Sequence, residues 1–107
     1  MKTPKFTVGL PVYNAASTLP QALDSILSQT FTDFNLIIID NASTDATASI
    51  CAKYAARDSR IEVLTNKENR GQMASSVRLL YAAKGEYYAL IHADMSWSPT
   101  YAEECIK

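Results

Sequence analysis

The residues of this chain richest in chemistry fall in four short segments: Pro11-Val12-Tyr13-Asn14, Asp40-Asn41-Ala42-Ser43-Thr44-Asp45, Asn69-Arg70-Gly71 and His92-Ala93-Asp94. Their carboxylates can accept hydrogen bonds from a polar ligand or hold a hard divalent ion such as Mg²⁺ or Mn²⁺, which prefers oxygen. The chain has only three glycines, Gly9, Gly71 and Gly85, so neither G-x-G-x-x-G nor a P-loop can be written in it. A diphosphate bound here would have to be met by a metal ion or by basic side chains, because an uncompensated dianion in a cleft is costly to desolvate.

Strands and helices are needed to bring those segments together. Phe6 to Leu10 is a β-prone run that should stop at Pro11, which lacks the donor a central strand needs. Leu19, Ala22, Leu23, Ile26 and Leu27 follow at helical spacing, with Ser17 or Thr18 placed to cap. Phe34 to Ile39 is apolar enough for a strand covered on both faces, and Asp40 to Asp45 is turn and cap chemistry. A second helix, to about Arg57, shows Thr47, Ile50, Cys51, Tyr54 and Ala55 on one face. Ile61 to Thr65 reads as a third strand, and Asn69-Arg70-Gly71 as a turn. Met73, Val77, Leu80 and Tyr81 form the inward stripe of a third helix that ends before Gly85. Tyr87 to Ile91 is the fourth strand, and a last short helix begins at Pro99.

This alternation predicts an α/β fold: consecutive βαβ units forming a mostly parallel, four-stranded, Rossmann-like sheet flanked by helices. Ligands of such sheets bind beyond the carboxyl ends of the strands, near the point where strand order reverses. All four polar segments belong at those ends, and Asp94 stands where an ion would be held.

At 107 residues, 48% hydrophobic and 20% charged, the chain is predicted to form one globular domain over residues 1–107. A net charge of −1 argues against nucleic acid as a partner. The apolar run before Pro11 is too short for a signal-peptide core or a membrane span, so a soluble, cytoplasmic chain is expected. Cys51 and Cys105 form no metal-ligand pair, and the single histidine does not complete a zinc set with them. Both cysteines read as buried free thiols.

The four segments, in order and spacing from Phe6 to Pro99, resemble the N-terminal half of family 2 glycosyltransferases of the GT-A fold. The resemblance implies an inverting transfer of sugar from a nucleotide diphosphate donor, a UDP-sugar first of all, to a hydroxyl acceptor. Pro11 and Val12 would offer backbone to the base, Tyr13 a ring face, and Asp40 an acceptor for a base N–H. Arg70 would sit at the base's other edge or near the phosphates. His92 and Asp94 occupy the first and last positions of the family's D-x-D motif, which contact the ribose and a divalent metal, Mn²⁺ or Mg²⁺. His92 departs from the pattern: a neutral imidazole can still bond a ribose hydroxyl or ligate an ion, but protonation removes it.

In the resembling enzymes the catalytic base and acceptor pocket lie well after the D-x-D segment. No residue here is nominated as the base. The reading expects a donor-binding half that stops before the acceptor-binding half, does not turn over alone, and self-associates through apolar surface left uncovered. A non-catalytic nucleotide-binding module is the alternative. A phosphate-receiver signalling domain shares the winding but needs an acidic cluster where this chain has Pro11-Val12-Tyr13-Asn14. For single residues the plainer roles are a helix cap for Asp40, a loop aromatic for Tyr13 and a solvated surface cation for Arg70. Ser43 and Asp45 are read as structural, stabilising the loop that aims Asp40.

Overall fold

Apolar runs and helical stripes become alternating strands and helices in the computed structural model, which describes residues 5–29, 32–69, 71–83 and 87–91. The elements are β1 (Phe6–Val12), α1 (Leu19–Leu27), β2 (Phe34–Asp40), α2 (Thr47–Arg57), β3 (Ile61–Thr65), α3 (Gln72–Ala82) and β4 (Tyr87–Leu90). The strands form one sheet in the order β3-β2-β1-β4, and every pairing is parallel. Strand order therefore runs outward from β1 to β3 and then jumps back across β1. The predicted fourth strand, like the first three, is present; the short helix expected from Pro99 lies outside the described residues.

Alternation along the strands sends two sets of side chains to two faces. Phe6, Val8, Leu10, Val12, Phe34, Leu36, Ile38 and Ile61 meet Leu19, Leu23 and Ile26 of α1 and Cys51 of α2. The other face carries Ile37 and Ile39, packed with Leu79 and with the partly buried Leu64, Ala82 and Tyr88. Helices that advance the sheet outward thus share one face and the returning helix takes the other, as right-handed crossovers require. Burying each large aliphatic side chain contributes roughly 1.5–3 kcal/mol. Pro20 sits in the first turn of α1, where a missing N–H is harmless, and the Tyr54 hydroxyl donates to Asp24 (3.0 Å), tying α2 to α1.

Two expectations are corrected. β1 does not stop at Pro11; it continues to Val12, with Pro11 level with Ile39 and Val12 level with Asp40. The reason is the direction of the missing donor. Gly9 turns its carbonyl toward β4, accepting from Ile91 N–H (2.9 Å), whereas Val12 turns its carbonyl toward the β2 side, accepting from Asn41 (2.9 Å). Peptide groups alternate sides along a strand, so Pro11 faces the β4 side, where the pairing already ends at Gly9 and Leu90. No bond to β2 is lost.

The second correction concerns α3. Of the predicted inward stripe, Val77, Leu80 and Tyr81 are exposed, Tyr81 at 86%, while Leu79 and Ser75 are buried; the Met73 side chain lies outside the described residues. The helix is turned so that Ser75, Leu79 and Ala82 face the sheet. Ser75 is held there by a hydrogen bond from Asn66 (3.2 Å), and Leu79 seats on Ile37 and Ile39.

Gly9 has a packing role on the same face. A Cβ at this position would lie 2.5 Å from the Tyr88 hydroxyl and 3.1 Å from two ring carbons, so the phenol of β4 lies directly over the glycine. That hydroxyl is buried without a hydrogen-bond partner among the described residues, and burial raises its pKa.

Candidate functional site

The site begins where three strands end level with one another. Val12 is in register with Asp40, and Asp40 with Thr65. The ladder runs one residue further on both sides, because Asn41 N–H donates to the Val12 carbonyl and Asn66 N–H to the Asp40 carbonyl, each at 2.9 Å. Pro11, Val12, Tyr13 and Asp40 are thereby gathered at one rim of the sheet, beside the point where strand order reverses. Asp40 is 2% exposed and Tyr13 49%. Arg70, His92 and Asp94 lie outside the described residues.

The loop after β1 and the loop after β2 are clasped together. Asn14 N–H donates to Ser43 Oγ (2.9 Å), and Asn14 Oδ1 accepts from Thr44 N–H (2.8 Å). Ala15 N–H donates to Thr47 Oγ1 (2.8 Å) and Ala16 N–H to Asp45 Oδ2 (3.3 Å). Asp45 Oδ1 accepts from the Thr47 backbone N–H (2.9 Å), and Thr47's hydroxyl also bonds it. The Thr47 hydroxyl, then the Thr47 N–H, hold the Asp45 carboxyl below the usual aspartate range, against a smaller opposing effect of burial. Ser43 N–H donates to Asp40 Oδ1 (3.1 Å), so the carboxylate that ends β2 also shapes the loop beyond it. Ser43 and Asp45 have the structural roles read from the sequence.

Two non-glycine residues in this clasp are left-handed, Asn14 (φ 46°) and Ala42 (φ 64°). Asparagine tolerates that region, but an alanine there costs on the order of 1–2 kcal/mol. The clasp's hydrogen bonds offset the strain and fix the path of the chain past Asp40.

A second cluster, missed by sequence reasoning, lies under the third strand end. Asn66 Nδ2 donates to Asn41 Oδ1 (3.0 Å) and to Ser75 Oγ (3.2 Å), while Arg78 Nη1 donates to Asn66 Oδ1 (2.6 Å). Asn41 Nδ2 donates to Asn69 Oδ1 (2.8 Å), which also accepts Gly71 N–H (2.8 Å). Gly71 itself has φ 85° with open space around its Cβ position, so glycine is needed for the backbone conformation rather than for room. Beside the cluster is a cleft of about 550 Å³ lined by Thr65, Asn66, Lys67, Ala74 and Arg78. An asparagine at a strand end was the one available signal for Asn66. Ser75 and Arg78 belong to no motif and reach the cluster only through the docking of α3.

Among the described residues no group of three or more His, Cys, Asp or Glu side chains is placed to hold a metal ion. Both Asp45 oxygens are engaged by the clasp, and Asp40 Oδ1 by Ser43. What the described rim offers a ligand is a buried carboxylate, strand-end backbone and an exposed aromatic ring, chemistry suited to a planar, hydrogen-bonding group.

An all-parallel, doubly wound sheet with a polar rim at its switch point defines a Rossmann-like, GT-A-type α/β domain. TarS of S. aureus has this fold: it aligns with 95% of this chain and 31% of its own at a TM-score of 0.88 and 26% identity, and TarS structures in complex with UDP and with UDP-GlcNAc are also similar. The mannosyltransferase PcManGT of Pyrobaculum calidifontis, in complex with GDP-Man and Mn²⁺, aligns with 92% of this chain and 30% of its own at a TM-score of 0.83 and 28% identity. In sequence, EpsE of Bacillus subtilis is 42% identical over 87 residues, 80% of this chain and 31% of EpsE. The chain belongs to Glycosyl transferase family 2, whose pattern it matches over residues 7–107. It spans about a third of the length of these relatives.

Proposed function

We propose that this chain is the donor-binding part of an inverting glycosyltransferase, taking the nucleotide of a nucleotide diphosphate sugar, a UDP-sugar first, for transfer to a hydroxyl acceptor. The observation that carries the reading is the buried Asp40 carboxylate, level with Val12 at the reversal of strand order and steered by the Ser43 N–H. In this reading Asp40 accepts a hydrogen bond from the base, the Pro11 and Val12 backbone borders it, and the exposed Tyr13 ring stacks on it. Arg70 lies at the base's other edge or near the phosphates, and His92 takes a ribose hydroxyl. A divalent ion would fall to Asp94, with His92 as the second candidate ligand, because both Asp45 oxygens are taken by the clasp and Asp40 serves the base in this reading. Mn²⁺ or Mg²⁺, when bound, offsets charge growing on the departing diphosphate. The ion bound with GDP-Man in PcManGT supports that part of the reading.

Among the described residues no helix is long and apolar enough to cross a membrane. The free, buried Cys51 thiol is compatible with the reducing cytoplasm, the location we propose.

The test is calorimetric titration of the 107-residue chain with UDP and with GDP in the presence of Mn²⁺, repeated on Asp40→Ala. Saturable binding by the wild type is expected, weakened about tenfold or more by the variant through loss of a hydrogen bond to a charged group. Equal affinity in both proteins would remove Asp40 from the site.

A further inference from the structure

Asn66, the first residue after β3, is buried, and its backbone and side chain together tie three parts of the rim. The backbone N–H holds the Asp40 carbonyl (2.9 Å), Nδ2 holds Asn41 Oδ1 (3.0 Å) and Ser75 Oγ (3.2 Å), and Oδ1 receives Arg78 Nη1 (2.6 Å). Through Asn41 the connection continues to Asn69 Oδ1 (2.8 Å) and from there to the Gly71 N–H (2.8 Å), one residue to either side of Arg70. The end of β2 and the start of α3 are thus locked to each other through one amide.

We propose that Asn66 is a positioning residue for donor binding, holding the loop that contains Asn69 and Gly71 in one place relative to Asp40; this rests on the donor-binding reading above. Gly71, left-handed and with open space around it, has no steric restraint of its own. Without the amide the loop would have to be ordered when ligand binds, and apparent affinity falls by the fraction of molecules in the competent arrangement. Asparagine suits the position because it offers two N–H donors and an acceptor from one compact group, and Asn41, Ser75 and Arg78 together use all three. Alanine leaves Asn41 Oδ1 without that donor and Arg78 Nη1 without that acceptor.

The experiment compares wild type, Asn66→Ala and Thr7→Val as full chains, by titration with UDP and with GDP in Mn²⁺ and by thermal melting. Thr7, whose hydroxyl donates to Asn35 Oδ1 (2.7 Å), is at the opposite end of β1 and serves as a control for stability loss away from the rim. Asn66→Ala is expected to bind about tenfold more weakly, with the Asn41 and Gly71 amide resonances moved, while Thr7→Val loses stability and keeps wild-type affinity. Should Asn66→Ala not fold, Ser75→Ala removes one arm of the lock and should weaken binding about threefold. If the wild type takes up neither nucleotide, the donor-binding reading falls and the positioning role with it. If the wild type binds and the Asn66 variant binds within about twofold of it, or if Thr7→Val weakens binding as much, the positioning role alone is overturned.

Discussion

Asp45 and Asp58 show how single side chains tie this fold to pH. The Asp45 carboxyl is held low first by the Thr47 hydroxyl, and Asp58 by the Arg60 side chain, which bonds it through Nε (3.0 Å) and Nη2 (2.8 Å). Both therefore titrate below the ordinary aspartate value of 3.8 in the folded chain. A depressed folded pKa means stability that is fully present above the unfolded value and lost as pH falls through the folded one. Thermal melts should be level from about pH 7 to about pH 5 and fall from about pH 4 downward, with a shallower acid limb for Asp58→Asn. An unchanged slope in that variant would show that the Arg60 pairing contributes nothing. Cys51 contrasts with these groups: desolvation, and then the nearby Asp40 charge, push its thiol up to about 12, so it behaves as a buried apolar residue, as read from the sequence. The position of Asp40 and Tyr13 at the strand ends and the structural role of Asp45 in its loop were also legible, because polar residues just after an apolar run have few other places to go. Asn66 was not, since nothing in its neighbours foretells bonds to Ser75 and Arg78.

At the scale of elements, the contact between β1 and β4 makes a specific prediction. Gly9→Ala should destabilise the chain by about 1–3 kcal/mol through overpacking against Tyr88. Tyr88→Phe should be neutral or stabilising by up to about 1 kcal/mol, because it removes a buried hydroxyl that has no partner among the described residues. In the double variant the new methyl no longer meets an oxygen at 2.5 Å, so the combined loss should be smaller than the two single changes summed. Urea denaturation of the four proteins measures this, and strict additivity would show that the phenol does not rest on Gly9. Helices α1 and α2 were readable because their stripes leave one choice of inward face. The third helix offered two: Leu79 and Leu80 count equally in a periodicity, and the Asn66–Ser75 bond and the shape of the Ile37–Ile39 surface decide between them. Pro11 was misread for a related reason, since the side of the strand on which a missing donor falls is a property of sheet order.

For the molecule as a whole, family membership and a rim at the switch point make nucleotide diphosphates the ligands to test by melting temperature. A ligand that binds only the folded chain stabilises it by about 2.7 kcal/mol at a concentration one hundred times its Kd. Among UDP, GDP and dTDP with Mn²⁺, UDP is expected to give the largest rise. No rise with any of them at millimolar concentration would count against donor binding by this chain. Val77, Leu80 and Tyr81 of α3 and Tyr87 and Leu90 of β4 are exposed large apolar side chains.

Composition and pattern by themselves determined the alternation of strands and helices, the parallel sheet and the gathering of polar residues at strand ends, because burial periodicity and turn chemistry are local properties of a chain. The tertiary structure alone decided that Val12, Asp40 and Thr65 end level, that Pro11 belongs inside a central strand, which side of α3 is buried, and that one asparagine following β3 joins the end of β2 to α3. Those outcomes depend on register, strand order and helix rotation, which arise only when distant segments share one close-packed interior.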